Sequence, residues 1–205
     1  MGMYLSLAAV SDATIDRLLA DPPLVWQILA PDDPNAVAAA REPPPGPGLL
    51  GRLLGRKAPP PPPEPPPLEL QPGEGDLGPD GDLEKSWHGI HYLLTGTVWE
   101  GDPPLNFLLV GGHELDIETG IAPPRAYRPA ETRAIGAALA EVDEGELRRR
   151  FAPAEMMRLE IYPEIWDRDP ATEDTFQYLL DGMTVLRRGL RRVIGQGHGL
   201  LVLLD

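Results

Sequence analysis

The stretch Phe176-Gln177-Tyr178-Leu179-Leu180-Asp181-Gly182-Met183-Thr184-Val185-Leu186-Arg187-Arg188-Gly189-Leu190-Arg191-Arg192-Val193-Ile194-Gly195-Gln196-Gly197-His198-Gly199-Leu200-Leu201-Val202-Leu203-Leu204 decides the fold. Phe176, Leu179, Leu180, Met183, Leu186, Leu190, Val193 and Ile194 recur at helical spacing. With Asp169 and Pro170 as start signals, the pattern predicts the main core helix, about seven turns long. Arg187, Arg188, Arg191 and Arg192 fall in its last turns, where cations complement the helix dipole. Gly195-Gln196-Gly197 stops the helix, and the apolar run Gly199 to Leu204 reads as a strand. Its natural sheet neighbour is Met1 to Val10, another mostly apolar run. The expectation is an α+β fold: a small sheet holding the N- and C-terminal strands, packed against several helices.

Working outward, Ser11 or Asp12 can cap a helix carrying Ile15, Leu18 and Leu19 on one side. Asp21-Pro22-Pro23 ends it before a short helix, Leu24 to Leu29. A central helix opens at Asp82, with Leu83, Trp87, Ile90, His91 and Leu94 on one stripe and Gly96 at its end. Leu105 to Val110 is a short buried strand or helix, broken by Gly111-Gly112. Pro129 starts a helix to Val142, and Asp143 with Glu146 forms a capping box for a helix from Glu144 to Phe151. From about Pro31 to Asp82 proline and glycine dominate, so the expectation is one domain over residues 1–205 interrupted by a proline-rich disordered insertion at about 31–82. Within it, Leu49-Leu50-Gly51-Arg52-Leu53-Leu54-Gly55-Arg56-Lys57 is a basic, apolar island. It reads as touching the body of its own domain, or as a docking peptide for a partner.

Composition narrows function. Formal net charge is −14, so the field repels phosphate backbones and anionic lipids; a basic protein partner is favoured, nucleic acid and membrane are not. Cysteine is absent, which removes disulfides, thiolate metal sites and cysteine nucleophiles. With no N-terminal signal pattern and no apolar run of bilayer-spanning length, a cytoplasmic setting is expected.

Several pieces carry a resemblance when taken together in order: Met1-Gly2-Met3, Trp87-His88-Gly89-Ile90-His91-Tyr92-Leu93-Leu94-Thr95-Gly96, Pro124-Arg125-Ala126-Tyr127, Glu160-Ile161-Tyr162-Pro163 with Trp166, and the long helix followed by a strand. The chain resembles the bacterial YfbM-like family, catalogued as domain of unknown function 1877. The resemblance implies a compact α+β fold and no established activity. Arg128 stands where that family often has a capping threonine, and the proline-rich linker is longer than in most members.

The residues that could carry chemistry are few. His88 and His91 stand three apart on the central helix, and His113-Glu114 could complete a zinc-type set. The spacing and the lack of an intervening glutamate depart from H-E-x-x-H, so His91 reads as a hydrogen-bonded core histidine and no metal is expected. Trp87, Tyr92, Trp99, Tyr127, Tyr162 and Trp166 could line a pocket for a flat ligand, although aromatics at this spacing are more often core. Arg125 beside Tyr127 suits a carboxylate or phosphate, or else a surface ion pair. No G-x-S-x-G turn or phosphate-cradling loop is present, and Glu160, Glu164 and Asp167 are only carboxylates near a turn. Two functions remain. One is a non-catalytic protein-binding module, immunity- or antitoxin-like in its charge, without a cofactor. The other is a small-ligand binder or enzyme built on Trp87, His88, His91, Tyr92, His113, Arg125 and Tyr127.

Overall fold

The computed structural model of the protein describes residues 2–33, 35–41 and 66–205. The chain begins with β1 (Leu5–Val10), α1 (Asp12–Ala20), a 3-10 turn (Pro22–Val25), α2 (Trp26–Leu29) and α3 (Ala36–Ala39). After the undescribed residues come β2 (Gly75–Asp76), a second 3-10 turn (Gly78–Asp80), α4 (Trp87–Thr95), β3 (His113–Glu114) and β4 (Ala122–Tyr127). Helices α5 (Pro129–Glu141), α6 (Glu144–Arg150), α7 (Pro153–Arg158) and α8 (Thr175–Gly195) precede the last strand, β5 (Gly199–Leu204).

The strands form one antiparallel sheet in the order β2-β1-β5-β4-β3. As expected, β1 and β5 are neighbours, with Leu5 opposite Leu204 and Val10 opposite Gly199. Side chains alternate across a strand, so each face of the sheet gathers its own set. Leu5, Leu7, Ala9, Leu200, Val202 and Leu204 join the larger core under α4, α5 and α8. Ala8, Val10, Leu201 and Leu203 join a smaller core under α1 and α2. Because β5 is covered on both faces, its sequence is apolar throughout, and each leucine removed from water there contributes roughly 1.5–3 kcal/mol.

α8 is the main core helix, burying Phe176, Leu179, Met183, Leu186, Leu190 and Val193. It starts later than expected. The residues after Asp169 are a turn, in which the Ala171 N–H bonds the Asp169 carboxylate, and the helix is capped by Asp174, whose carboxylate accepts the N–H groups of Phe176 and Gln177. Three of the four arginines of its last turns have structural partners. Arg187 donates to the Val142 carbonyl behind α5, and Arg188 and Arg192 flank Asp80.

α4 also starts later, at Trp87. Leu83 donates its N–H to the Leu5 carbonyl instead, and Glu84 has a positive φ of 46°, which no helix tolerates. The expected stripe is absent because α4 is buried on every side from Trp87 to Leu94, enclosed by α8 and the loop carrying Trp166. Gly89 is the point of closest approach; a Cβ there would meet Leu179 and Trp166 at 2.6 Å. Residues 103–109 form turns, neither strand nor helix, anchoring Phe107 and Leu108 in the core.

Part of the stretch expected as an insertion is structured. Residues 66–82 belong to the fold: Leu68 donates to Gln27 at 2.6 Å, β2 pairs with Ala8 and Ala9, and Leu77 is buried. Upstream, Ala36–Ala39 is helical. Proline and glycine here shape turns around two apolar anchors, which composition alone reads as linker. The remainder of the expected insertion, with the island Leu49 to Lys57, lies outside the described residues.

Candidate functional site

The side chains singled out in the sequence occupy three settings. Trp87, His88 and His91 are sealed in the core on α4. His88 lies between Trp87 and Trp99, with ring centroids 4.8 and 4.5 Å away. Its Nε2 faces the Val98 carbonyl at 2.9 Å, and its Nδ1 accepts the Tyr162 N–H at 3.0 Å. Both contacts are met only by the neutral tautomer with the proton on Nε2. Burial lowers its pKa, partly offset by the Val98 carbonyl.

His91 departs from the expected hydrogen-bonded core histidine. Among the described residues neither ring nitrogen has a partner in hydrogen-bond geometry, the Glu100 backbone being only a polar neighbour. Burial and the neighbouring His88 depress its pKa to about 4, against a small opposing contribution from the Glu100 backbone. The hydrogen-bonded histidine of the pair is His88.

The second setting is the core end of β4. Tyr127 donates toward the Phe107 and Val110 carbonyls at 2.8 and 2.7 Å, pinning the 103–109 turns to the sheet; burial raises its pKa. Third, at the sheet edge, Arg125 pairs with Glu114 at 2.6 Å and reaches the Gly111 carbonyl, while His113 is partly exposed with Nε2 3.5 Å from Glu131. Tyr92 is buried on α4 near Glu155 and Arg158, and burial raises its pKa. The set His88, His91, His113 and Glu114 is therefore split between core and surface. Among the described residues no group of three or more His, Asp or Glu side chains is placed to hold a metal ion.

Arg128, in the place of a capping threonine, lacks an acceptor for the α5 N-terminus. Glu131 still accepts the Arg128 N–H at 2.7 Å, and the guanidinium bridges to Asp12 and Asp16 on α1 at 2.8 and 2.7 Å.

An open concavity among the described residues takes in none of the seven residues above. It is a cleft of about 1260 Å³ between α2 and α3 on one side and the segment after β3 on the other. Trp26, Ala36, Ala39, Leu115, Ile117 and Pro123 give it apolar walls, and Asp33, Glu114, Asp116 and Glu118 give it charge. Arg41 at the rim is held by Asp21 at 2.8 Å and Glu114 by Arg125, and among the described residues no cation pairs with Asp33, Asp116 or Glu118. Trp26 contributes a buried indole N–H that has no acceptor among them. The available sequence signal was the alternation Glu114-Leu115-Asp116-Ile117-Glu118, which is short and sits beside a two-residue strand.

Such an arrangement can hold a cationic, partly apolar chain. Its described lining holds no serine, threonine, lysine or histidine.

The comparisons with known proteins agree with this architecture. The family model described as domain of unknown function (DUF1877) matches residues 1–203. Protein YfbM of Escherichia coli (strain K12) is 31% identical over 128 residues, covering 60% of this chain and 75% of that protein. The crystal structure of YfbM from Escherichia coli, a protein of unknown function, aligns over 100% of both chains with a TM-score of 0.57 at 20% identity, which speaks to the fold alone. With its model match running from β1 through nearly all of β5, this chain belongs to the DUF1877 family.

Proposed function

We propose that this protein is a non-catalytic binding module that receives a basic, partly apolar segment of a protein partner in the acidic cleft beside α3. The observation that carries this reading is the cleft itself: three carboxylates without a cationic partner among the described residues, set among Trp26, Leu115 and Ile117. The net charge of −14 adds long-range attraction for a basic partner, and that attraction weakens with salt. An immunity- or antitoxin-like role is one form of it. The test compares capture by the full chain and by Asp33→Lys/Asp116→Lys/Glu118→Lys at low and physiological salt. A basic protein held by the native chain, weakened by salt and lost from the variant, supports the reading; equal capture by both chains overturns it.

A second reading, a small-ligand site or enzyme around Trp87, His91, His113, Arg125 and Tyr127, has one observation in its favour, the two unpaired ring nitrogens of His91. Native mass spectrometry of purified protein tests it. A stoichiometric small molecule released by unfolding would support this site over the cleft.

A further inference from the structure

The four arginines at the end of α8 divide between two sides of the helix. Arg188 and Arg192 are neutralised by Asp80, whereas Arg187 and Arg191 line a groove between α5 and α8. We propose that this groove is a binding site separate from the acidic cleft and that its ligand is a small aliphatic carboxylate.

Shape is the first observation. The groove has a volume of about 290 Å³, near the lower end for a small-molecule site. Leu139 and Leu190 form its floor, both buried, while Ile194 and Ala140 keep apolar surface in contact with water. Gly136 sets the wall in place: a Cβ there would clash with Cδ1 of Ile194, so the absence of one lets Ile194 lie directly against α5. The groove opens across the sheet from α1 and α2, and a ligand here does not compete with a partner in the cleft.

Charge is the second. Arg187 donates to the Val142 carbonyl, which fixes its guanidinium beside the groove and leaves other N–H groups to donate. Arg191 stands one turn further on and is exposed. Among the described residues neither pairs with a carboxylate, in a chain whose net charge is −14. Like charges four residues apart on a helix repel, and an anion held by both guanidiniums offsets that repulsion. Guanidinium N–H groups recognise carboxylate and phosphate alike. The field of the whole molecule separates the two, because it repels a monoanion less than a dianion. The tail follows from the apolar surface of Ile194 and Ala140, which a bare anion leaves in water and an aliphatic chain covers.

Octanoate is the probe, titrated into the full chain while backbone amide shifts are followed by NMR. The shifts are expected to centre on Gly136, Ala140, Arg191 and Ile194. Lengthening the acid from butanoate to octanoate should tighten binding by about two- to fourfold per methylene. Octanol, with the tail and no charge, should bind about tenfold more weakly than octanoate. Three variants at exposed positions, chosen so that the fold is kept, separate head from tail. Arg191→Glu should weaken octanoate by about tenfold and leave octanol unchanged. Ala140→Phe, which fills the groove, should weaken both, and Ala137→Phe, on the same helix outside the groove, should weaken neither. Shifts centred elsewhere overturn the proposal, as does octanoate binding that is unchanged by Arg191→Glu or equal in the two phenylalanine variants. Tighter binding of octyl phosphate than of octanoate overturns the choice of carboxylate. Capture of a basic protein at the cleft is scored separately, so either site can fail without the other.

Discussion

His91 sits in the middle of α4 with its ring sealed from water and both nitrogens unpaired among the described residues, an arrangement tolerated only while the ring stays neutral. Folded, it takes up a proton only near pH 4; unfolded, near 6.5. Between those values the unfolded chain binds more protons. Stability therefore falls as pH drops from about 6.5 to about 4, by roughly 3 kcal/mol from this residue alone, and the effect levels off below that. Urea unfolding of the native chain and His91→Leu at pH 7 and 4.5 checks it. The variant should lie within about 1.5 kcal/mol of the native chain at neutral pH, since volume is nearly conserved, and should be markedly the more stable at pH 4.5. His88→Ala should cost about 1–3 kcal/mol at pH 7, because the Val98 carbonyl and the Tyr162 N–H lose their partner. Which histidine is bonded was not legible from three-residue spacing, since the bonds come from a loop and from residue 162, far along the chain. The cleft was equally hidden. Its acidic wall is an alternation too short to stand out, and its opposite wall, α3, lies inside what composition marks as linker.

At the scale of elements, the glycines of α8 separate into two kinds. A Cβ on Gly189 would run into the backbone carbonyl of Asp80, whereas one on Gly195 would meet nothing within 4 Å. Gly189→Ala is expected to lose about 1–3 kcal/mol by overpacking against backbone, and Gly195→Ala to gain up to about 0.8 kcal/mol from helix propensity. Paired thermal melts decide it; a stable Gly189→Ala would mean that the 3-10 turn Gly78–Asp80 gives way. The same contact explains what could be read and what could not. Periodicity of 3.6 residues found α8, and the alternating and continuous apolar runs found β1 and β5, because these depend on one face or one strand at a time. The Asp143 cap was legible from local chemistry and is formed, with the Asp143 carboxylate accepting the Glu146 N–H at 2.7 Å. Helix α1 is different. Ser11 accepts the Thr14 N–H as expected, but the Ser11 N–H is taken by Glu74, a residue 63 positions away that no local pattern would nominate. The two N–H groups of Gln71 and Ser11 hold the Glu74 carboxylate below its ordinary pKa despite burial, so α1 is capped partly from the far side of the proline-rich stretch.

For the whole molecule, the two halves of that stretch should behave oppositely. Removing residues 66–82 deletes β2, Leu77 and the Glu74 cap, and is expected to abolish cooperative unfolding. Replacing only residues 43–64 by a short glycine-serine linker is expected to move the melting temperature by no more than about 4 °C, the upper end of what a loss of 1 kcal/mol produces at this size. Calorimetry on both variants is the check, and a larger fall in the second would show that the island Leu49 to Leu54 contributes to stability. The pairing of β1 with β5 has a consequence in time. Leu5 meets Leu204, so the two central strands come together only by closing a loop of almost the whole chain. Loop entropy grows only logarithmically, so shortening the proline-rich stretch changes that closure by merely about 0.1 kcal/mol. Sequence separation of this kind slows folding. During synthesis β1 emerges long before β5 and stays without that partner until β5 leaves the ribosome, which leaves the leucines of β1 open to chaperones and to aggregation in the nascent chain.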